Sequence, residues 1–319
     1  MILQIMILLL GFVLLVKGAD WFVEGAASIA RKLGIPQLIV GLTIVAMGTS
    51  LPETAVSVVA AIQHKNTLAI SNVVGSNIFN MMVVIGFCAI MTPVAVQKAT
   101  LKRDFPYSVF AALLLMILGG VGMKLGRFDS AVFLVFFAIF IGTMIRMALK
   151  AGKEGGQPQS EEIEAAEAQK VMSMPKSLLF LVVGVAGIVI GGDGVVDSAS
   201  NIALKIGMSQ TLVGLTIVSI GTSLPELVTS VVAARKNEVD MALGNAIGSN
   251  IFNILFVLGL AGVISPMPFL MGNIIDIIIL IVLSLLIWGF AWTKEKISRK
   301  EGIVMLVLYV VYVIYICMR

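Results

Sequence analysis

The sequence predicts an all-α polytopic membrane protein in which ten transmembrane helices form two inverted repeats of five. Three observations carry this prediction: the apolar composition, ten apolar runs of membrane-spanning length, and an internal repeat. Of the 319 residues, 59% are hydrophobic and 13% are charged, with a mean hydropathy of +1.06. Such a chain lacks the polar surface that a water-soluble globule needs, which favours a membrane protein.

The ten apolar runs match the length of about 20 residues that a transmembrane helix requires. They are centred on residues 3–22, 36–63, 68–92, 106–123, 128–148, 177–198, 209–234, 241–265, 272–292 and 302–318. The first run begins at Met1 without a basic segment or a cleavage signal, so we interpret it as a retained helix rather than a signal peptide.

The distribution of positive charge predicts the orientation in the membrane. With ten spans, the loops that follow odd-numbered spans carry 16 of the 22 Lys and Arg residues, and the opposite side carries five. Because cytoplasmic loops are enriched in Lys and Arg, both termini are expected to be extracytoplasmic in the plasma membrane. The long polar stretch 150–176 is then a cytoplasmic linker between a first repeat, 1–149, and a second repeat, 177–319.

The internal repeat is visible at a constant offset of 173 residues. Segment 41–80 matches segment 214–253 at 24 of 40 positions without a gap, including GTSLPE and GSNIFN in both copies. Each repeat has five spans, an odd number, so the second repeat must cross the membrane in the opposite direction. Inverted repeats are common among secondary transporters, whose substrate sites lie near the bilayer midplane where the repeats meet.

Proline residues within the repeated motifs predict that helices 2 and 7 are broken. Pro52 has no N–H for the carbonyl of Gly48, and Pro225 has none for Gly221. Freed carbonyls at membrane depth are tolerated where they line a cavity or bind a cation.

Polar side chains in these segments form a set of hard oxygen donors. Near the breaks and on the neighbouring spans lie Thr49, Ser50, Glu53, Ser76, Asn80, Ser219, Thr222, Ser223, Glu226, Ser249 and Asn253. Such donors suit Ca²⁺ and Na⁺ rather than softer metals. Two carboxylates near the midplane match one Ca²⁺, two Na⁺ or two protons, because a lone charge there is costly. For Asn72, Asn77, Asn245 and Asn250, helix packing is an alternative role.

The paired motifs VGLTIVAMGTSLPE and VGLTIVSIGTSLPE, with GSNIFN in each half, resemble the sodium/calcium exchangers of the cation/calcium exchanger superfamily in their short prokaryotic form. The resemblance implies that Glu53 and Glu226 bind Ca²⁺ together with the main-chain carbonyls of Thr49 and Thr222. For Na⁺ it implies the same carboxylates, the serines and two carbonyls. These further ligands would be Ser50, Ser223, Ser76, Ser249 and the carbonyls of Ala46 and Ser219, with Asn80 and Asn253 lining the centre.

One departure concerns Asn253, where some relatives, including potassium-dependent exchangers, carry aspartate. Amides at both central positions argue against a potassium requirement.

The resulting prediction is a potassium-independent Na⁺/Ca²⁺ antiporter that works by alternating access. Its transport is electrogenic if three Na⁺ replace one Ca²⁺, and spans 1 and 6 move across the site. No enzymatic activity, cofactor, nucleic acid or obligate protein partner is expected; the partners are Ca²⁺, Na⁺ and the lipid bilayer. A Ca²⁺/H⁺ antiporter and a cation channel remain alternatives.

Overall fold

The computed structural model describes residues 2–63, 69–153, 172–208 and 219–318, and these residues are almost entirely helical. The helices are α1 Ile2–Leu33, α2 Gln37–Thr49, α3 Leu51–Ile62, α4 Ala69–Met91, α5 Thr100–Met123, α6 Arg127–Lys153, α7 Met174–Lys205, α8 Ser219–Gly221, α9 Leu224–Arg235, α10 Val239–Ile264, α11 Met271–Lys294 and α12 Arg299–Met318. Four two-residue strands are β1 Val94–Ala95, β2 Lys124–Leu125, β3 Met267–Pro268 and β4 Lys296–Ile297.

The helices confirm the class of an all-α membrane protein. Within the described residues, eight helices are long and apolar enough to cross a bilayer, and α2 with α3 forms a further span bent by 48°. This bend is where the sequence predicted broken helix 2. The predicted seventh span, 209–234, begins outside the described residues, so the count of ten spans stays a prediction. Most of the predicted linker, from 154 to 171, also lies outside them.

Helices α1 and α7 are each longer than the apolar runs that predicted them, and they end alike. Gly34 and Gly207, which are equivalent in the two repeats, follow the helices with φ of 63° and 97°. At each end a later N–H returns to the final turn, from Ile35 to the carbonyl of Ala30 at 2.9 Å and from Met208 to that of Ala203 at 3.0 Å. Glycine adopts this left-handed conformation without strain, which stops both helices at the same repeat position.

Helices α1 and α7 pack against each other in antiparallel fashion along a line of glycines. A Cβ atom at Gly18 would lie 2.7 Å from the backbone nitrogen of Ile188, and one at Gly184 would lie 2.6 Å from that of Phe22. Gly11 similarly faces Gly191. In a membrane, where lipid is as apolar as the side chains, such close backbone approach supplies van der Waals contact that holds helices together.

The centre of the molecule is formed by α4 and α10, which are the most deeply buried long helices. Helix α10 also approaches α2 closely, since a Cβ at Gly41 would lie 2.5 Å from the carbonyl oxygen of Met241. The outer helices instead expose large apolar side chains, as at Val182 and Phe128. This arrangement is the one expected in lipid, where the outward surface is apolar and polar groups are kept inside.

Two short ribbons, which the sequence analysis did not predict, connect distant loops. In one, Val94 of β1 pairs with Ile297 of β4; in the other, Leu125 of β2 pairs with Met267 of β3. The repeat offset maps Val94 of one ribbon onto Met267 of the other. Each ribbon pairs a strand of the first repeat with a strand of the second, so the two ribbons correspond to each other. The fold therefore has the pairwise correspondence that a duplicated chain requires.

Candidate cation-binding site

Each predicted carboxylate lies in the first turn of a half-helix. Helix α2 ends at Thr49, Ser50 leaves helical geometry with φ −87° and ψ 14°, and α3 then begins with Pro52 and Glu53 in its first turn. The second repeat has the same geometry at Ser223, with φ −95° and ψ 6°. A helix N-terminus carries partial positive charge, so it offsets part of the cost of holding a carboxylate away from water.

The break needs glycine for packing as well as for backbone freedom. A Cβ at Gly48 would lie 2.6 Å from the ring of Phe22 on α1, and a Cβ at Gly221 would collide with Val196 on α7. The two glycines therefore let α1 and α7 lie directly over the broken segments.

The site is closed to solvent. Glu53, Glu226, Thr49, Ser50, Ser223, Ser249, Asn80 and Asn253 have no exposed surface, and Ser76 retains 2%. Two carboxylates in such an enclosure require compensation by cations or protons, because burying an isolated charge is costly.

A hydrogen-bond network surrounds Glu226. The Ser50 hydroxyl donates to Glu226 Oε1 at 2.8 Å, which joins the two repeats. The Thr49 hydroxyl donates to Asn245 Oδ1 at 3.1 Å, with the Ala46 carbonyl as an alternative acceptor at 3.3 Å. The Asn245 amide donates in turn to Ser230 Oγ at 2.9 Å and to the Glu226 carbonyl at 3.4 Å.

A reciprocal pair of amides joins the two repeats at the centre. Asn77 Nδ2 donates to the carbonyl of Asn250, and Asn250 Nδ2 donates to that of Asn77, both at 3.1 Å. Asn77 and Asn250 occupy equivalent positions in the two repeats, so these two hydrogen bonds are a symmetric contact between the repeats. One turn further along, π-helical turns begin at Asn80 and Asn253. Such turns widen a helix locally and are frequent at functional sites.

Several buried oxygens of the predicted set have no hydrogen-bond partner among the described residues. They are both carboxylate oxygens of Glu53, Glu226 Oε2, the hydroxyls of Ser76 and Ser223, and the amide oxygens of Asn80 and Asn253. Because buried polar groups are rarely left unpaired, a concentration of acceptors calls for a donor or a cation. Carboxylate, hydroxyl and amide oxygens are the ligands that Ca²⁺ and Na⁺ prefer, so the residues fit such cargo.

Most of the predicted ligands thus lie buried on α2, α3, α4, α9 and α10 or at the two helix breaks, and the Ser50–Glu226 hydrogen bond joins the repeats. Thr222 lies between α8 and α9 and is only partly buried. Ser219 begins α8, and its side chain lies outside the described part. The carbonyl of Ala46, another predicted ligand, accepts the Ser50 N–H at 3.1 Å.

Ser230 was not among the residues predicted for the site, and helix packing was an alternative role for Asn245. Ser230 lies four residues after Glu226 and is repeated as Ser57 after Glu53. Positions four apart share a helix face, so the repeat combined with this spacing was the signal for both serines.

Comparison with known proteins finds a family, sequence relatives and solved structures that match nearly the whole chain. The family described as "Sodium/calcium exchanger protein" matches residues 3–146 and 176–318. The putative antiporter CaxA of Alkalimonas amylolytica is 40% identical over 320 residues, covering 97% of each chain. The sodium/calcium exchanger MaX1 of Methanosarcina acetivorans is 34% identical over 342 residues, covering 96% of each. A solved structure of the sodium-calcium exchanger NCX_Mj, soaked without Na⁺ and Ca²⁺, superposes with a TM-score of 0.83 at 33% identity, covering 99% of both chains.

These likenesses and the helical membrane fold identify the protein as a transporter rather than an enzyme. The chain belongs to the sodium/calcium exchanger family, which confirms the resemblance inferred from its paired motifs.

Proposed function

We propose that the protein exchanges Na⁺ for Ca²⁺ across the plasma membrane by alternating access. The observation that supports this most is the pair of fully buried carboxylates, Glu53 and Glu226, beside hydroxyl and amide oxygens that have no hydrogen-bond partner in the described part of the chain. Two negative charges in an enclosed site favour either one divalent cation or several monovalent ones, and this competition couples the two fluxes.

In this proposal Ca²⁺ binds between Glu53 and Glu226, with the main-chain carbonyls of Thr49 and Thr222 completing its coordination. Sodium ions use the same carboxylates and further oxygens. These are the hydroxyls of Ser50, Ser223, Ser76 and Ser249 and the carbonyls of Ala46 and Ser219, with the amides of Asn80 and Asn253 at the centre. Hydroxyl ligands favour Na⁺ over H⁺ as the counter-ion, because a proton on a carboxylate needs no oxygen cage.

The proposed cycle is electrogenic and independent of K⁺. Exchange of three Na⁺ for one Ca²⁺ moves one net positive charge, and amides at both central positions leave the two glutamates as the acidic ligands. The repeats 1–149 and 177–319, joined by the cytoplasmic linker 150–176, would alternate around the site while α1 and α7 move across it.

The test is ⁴⁵Ca²⁺ uptake into proteoliposomes driven by an outward Na⁺ gradient at equal pH on both sides. We expect uptake by the wild type and its loss in Glu53→Gln, because the neutral amide removes one of two charges that attract Ca²⁺. The matched control is Glu295→Gln, a similar change at an exposed residue that lies 3.6 Å from Lys98.

The same preparation separates the alternatives. Uptake driven by a pH gradient but not by Na⁺ would make the protein a Ca²⁺/H⁺ antiporter and overturn the proposal. Ca²⁺ flux that requires no counter-ion on the opposite side would make it a channel.

A further inference from the structure

Equivalent polar residues of the two repeats make different contacts around the site. The repeat offset pairs Ser50 with Ser223, Glu53 with Glu226, Ser57 with Ser230, and Asn72 with Asn245, and each pair consists of identical residues. One member of each pair is hydrogen-bonded to other residues around the site, and among the described residues its counterpart has atoms without these bonds; Glu226 belongs to the bonded members through Oε1, while its Oε2 also lacks a partner. We call the first set, Ser50, Glu226, Ser230 and Asn245, the bonded half, and the second set, Ser223, Glu53, Ser57 and Asn72, the open half.

The bonded half forms one continuous chain of hydrogen bonds. Ser50 donates to the Glu226 carboxylate, and Asn245 donates to both the Glu226 carbonyl and Ser230. The Ser230 hydroxyl donates in turn to the carbonyl of Ala242 at 3.4 Å. Asn245 therefore ties the first turn of α9, its second turn and the start of α10 together.

The open half has the same groups without these bonds. Within the described residues, the hydroxyls of Ser223 and Ser57, the amide nitrogen of Asn72 and both carboxylate oxygens of Glu53 are buried and lack partners. Ser57 retains only 2% exposure, so water does not satisfy its hydroxyl in place of a protein group.

Identical residues can make identical bonds, so conformation rather than chemistry distinguishes the two halves. Leaving a buried donor or acceptor unpaired is costly, and if the halves exchange conformations this cost moves from one half to the other. Inverted repeats permit such a change, because alternating access moves one repeat against the other around a fixed site.

We propose that Asn245 and Asn72 are positioning residues that act alternately, each bonding its own half of the site in one of the two states. This rests on the proposed transport cycle. In the state described here Asn245 holds the Glu226 half, while Glu53 is available to cargo; in the opposite state Asn72 bonds Ser57 and the Glu53 carbonyl, and Ser223 donates to Glu53. A cation therefore binds first to the unpartnered carboxylate and reaches full coordination when Ser50 releases Glu226.

The decisive comparison is between Asn245→Ala and Asn72→Ala, which remove equivalent amides. Asn245→Ala weakens the state described here, and Asn72→Ala weakens the opposite state. We expect each to shift the equilibrium by about tenfold, equivalent to about 1.4 kcal/mol. In sealed vesicles of known orientation, the KM for Ca²⁺ should rise at one face and fall at the other in Asn245→Ala, with the faces reversed in Asn72→Ala.

Hydrogen–deuterium exchange provides a readout that does not require transport. Asn245→Ala should speed amide exchange in α9 and slow it in α3, and Asn72→Ala should do the opposite. Slower exchange in one repeat is a result that mere structural damage does not give. Ser230→Ala and Ser57→Ala remove the same links more mildly and should repeat the pattern if an asparagine variant fails to fold.

Two results would overturn this inference. One is a KM change in the same direction at both faces, or a change in maximal rate alone; the other is faster exchange in both repeats for either variant. If the wild type carries no Na⁺-coupled Ca²⁺ flux, the proposed function fails instead, while the exchange pattern still tests the alternation of the two asparagines.

Discussion

Glu53 and Glu226 show how a carboxylate is held inside a membrane protein. Proline stands immediately before each glutamate, so a new half-helix begins there and its N-terminal turn faces the carboxylate. The partial positive charge of that turn offsets part of the cost of burying the carboxylate. The remaining negative charge of the pair supports the proposal that these two carboxylates bind a cation.

At the same scale, Gly48 is expected to be intolerant of a single methyl group. Gly48→Ala places a Cβ 2.6 Å from the Phe22 ring and 3.3 Å from Val185, so α1 or α7 must shift. We expect a loss of about 1–3 kcal/mol of stability and slower Ca²⁺ exchange, measured by thermal unfolding and ⁴⁵Ca²⁺ flux.

The paired variant Gly48→Ala with Phe22→Leu should recover part of the flux, because leucine lacks the ring atoms that collide. Gly289→Ala is the control, since no described atom lies within 4 Å of its added methyl group. Equal effects of Gly48→Ala and Gly289→Ala would show that packing at the break does not limit exchange.

At the scale of elements, charged residues connect α1 to the turn between α9 and α10. Lys236 lies 2.7 Å from Asp20 and 3.5 Å from Glu24, and Arg31 lies 2.8 Å from Glu238. The repeat offset places Gln63 and Leu204 opposite Lys236 and Arg31, so neither cation has a basic counterpart. These two cation positions therefore differ between the repeats, and the ion pairs attach α1 to the turn between α9 and α10.

The Arg31–Glu238 pair should contribute measurably to stability. Their side chains are 18% and 6% exposed, so water screens the pair little, and the short bond is charge-assisted. A double-mutant cycle with Arg31→Gln and Glu238→Gln should give a coupling of about 1–3 kcal/mol in detergent unfolding.

The same cycle on Lys98 and Glu295 is the comparison, because these side chains are 74% and 55% exposed and 3.6 Å apart. We expect no more than about 1 kcal/mol for this exposed pair. A coupling at Arg31–Glu238 that is as small as this would mean that α1 is not held by its charges.

Several elements were predictable from sequence, and the reasons are physical. Apolar runs and the prolines of GTSLPE predicted the helices and the bend between α2 and α3. The glycine pair Gly34 and Gly207 was aligned by the repeat, but helix ends depend on caps that apolar runs do not show, so α1 and α7 were predicted too short. The contrast between Asn245 and Asn72 could not be predicted, because identical letters do not show which copy is bonded.

At the scale of the whole molecule, the proposed stoichiometry makes transport respond to voltage. One net charge crossing the membrane changes the driving free energy by about 2.3 kcal/mol per 100 mV. The steady-state Ca²⁺ ratio should therefore change about 50-fold per 100 mV, which can be measured in proteoliposomes whose potential is set by K⁺ and valinomycin. A ratio that does not depend on potential would indicate an electroneutral exchange.

The orientation of the whole chain can be tested with a native thiol. Cys317, near the end of α12, is exposed, whereas Cys88 is buried in the core. With an extracytoplasmic C-terminus, a membrane-impermeant maleimide should label Cys317 in intact cells, with Cys317→Ser as the unlabelled control. Labelling that appears only after the membrane is opened would place the C-terminus in the cytoplasm and reverse the predicted orientation.

The two ribbons have a consequence for how the protein is made. Strand β1 is synthesised early, but its partner β4 follows about 200 residues later. At about 5–20 residues per second, the ribosome needs about 10–40 s to complete the strand that pairs with β1. During that interval the first repeat waits in the membrane with its loop unpaired, so the first repeat expressed alone should be a substrate for quality-control proteases rather than a stable half-transporter.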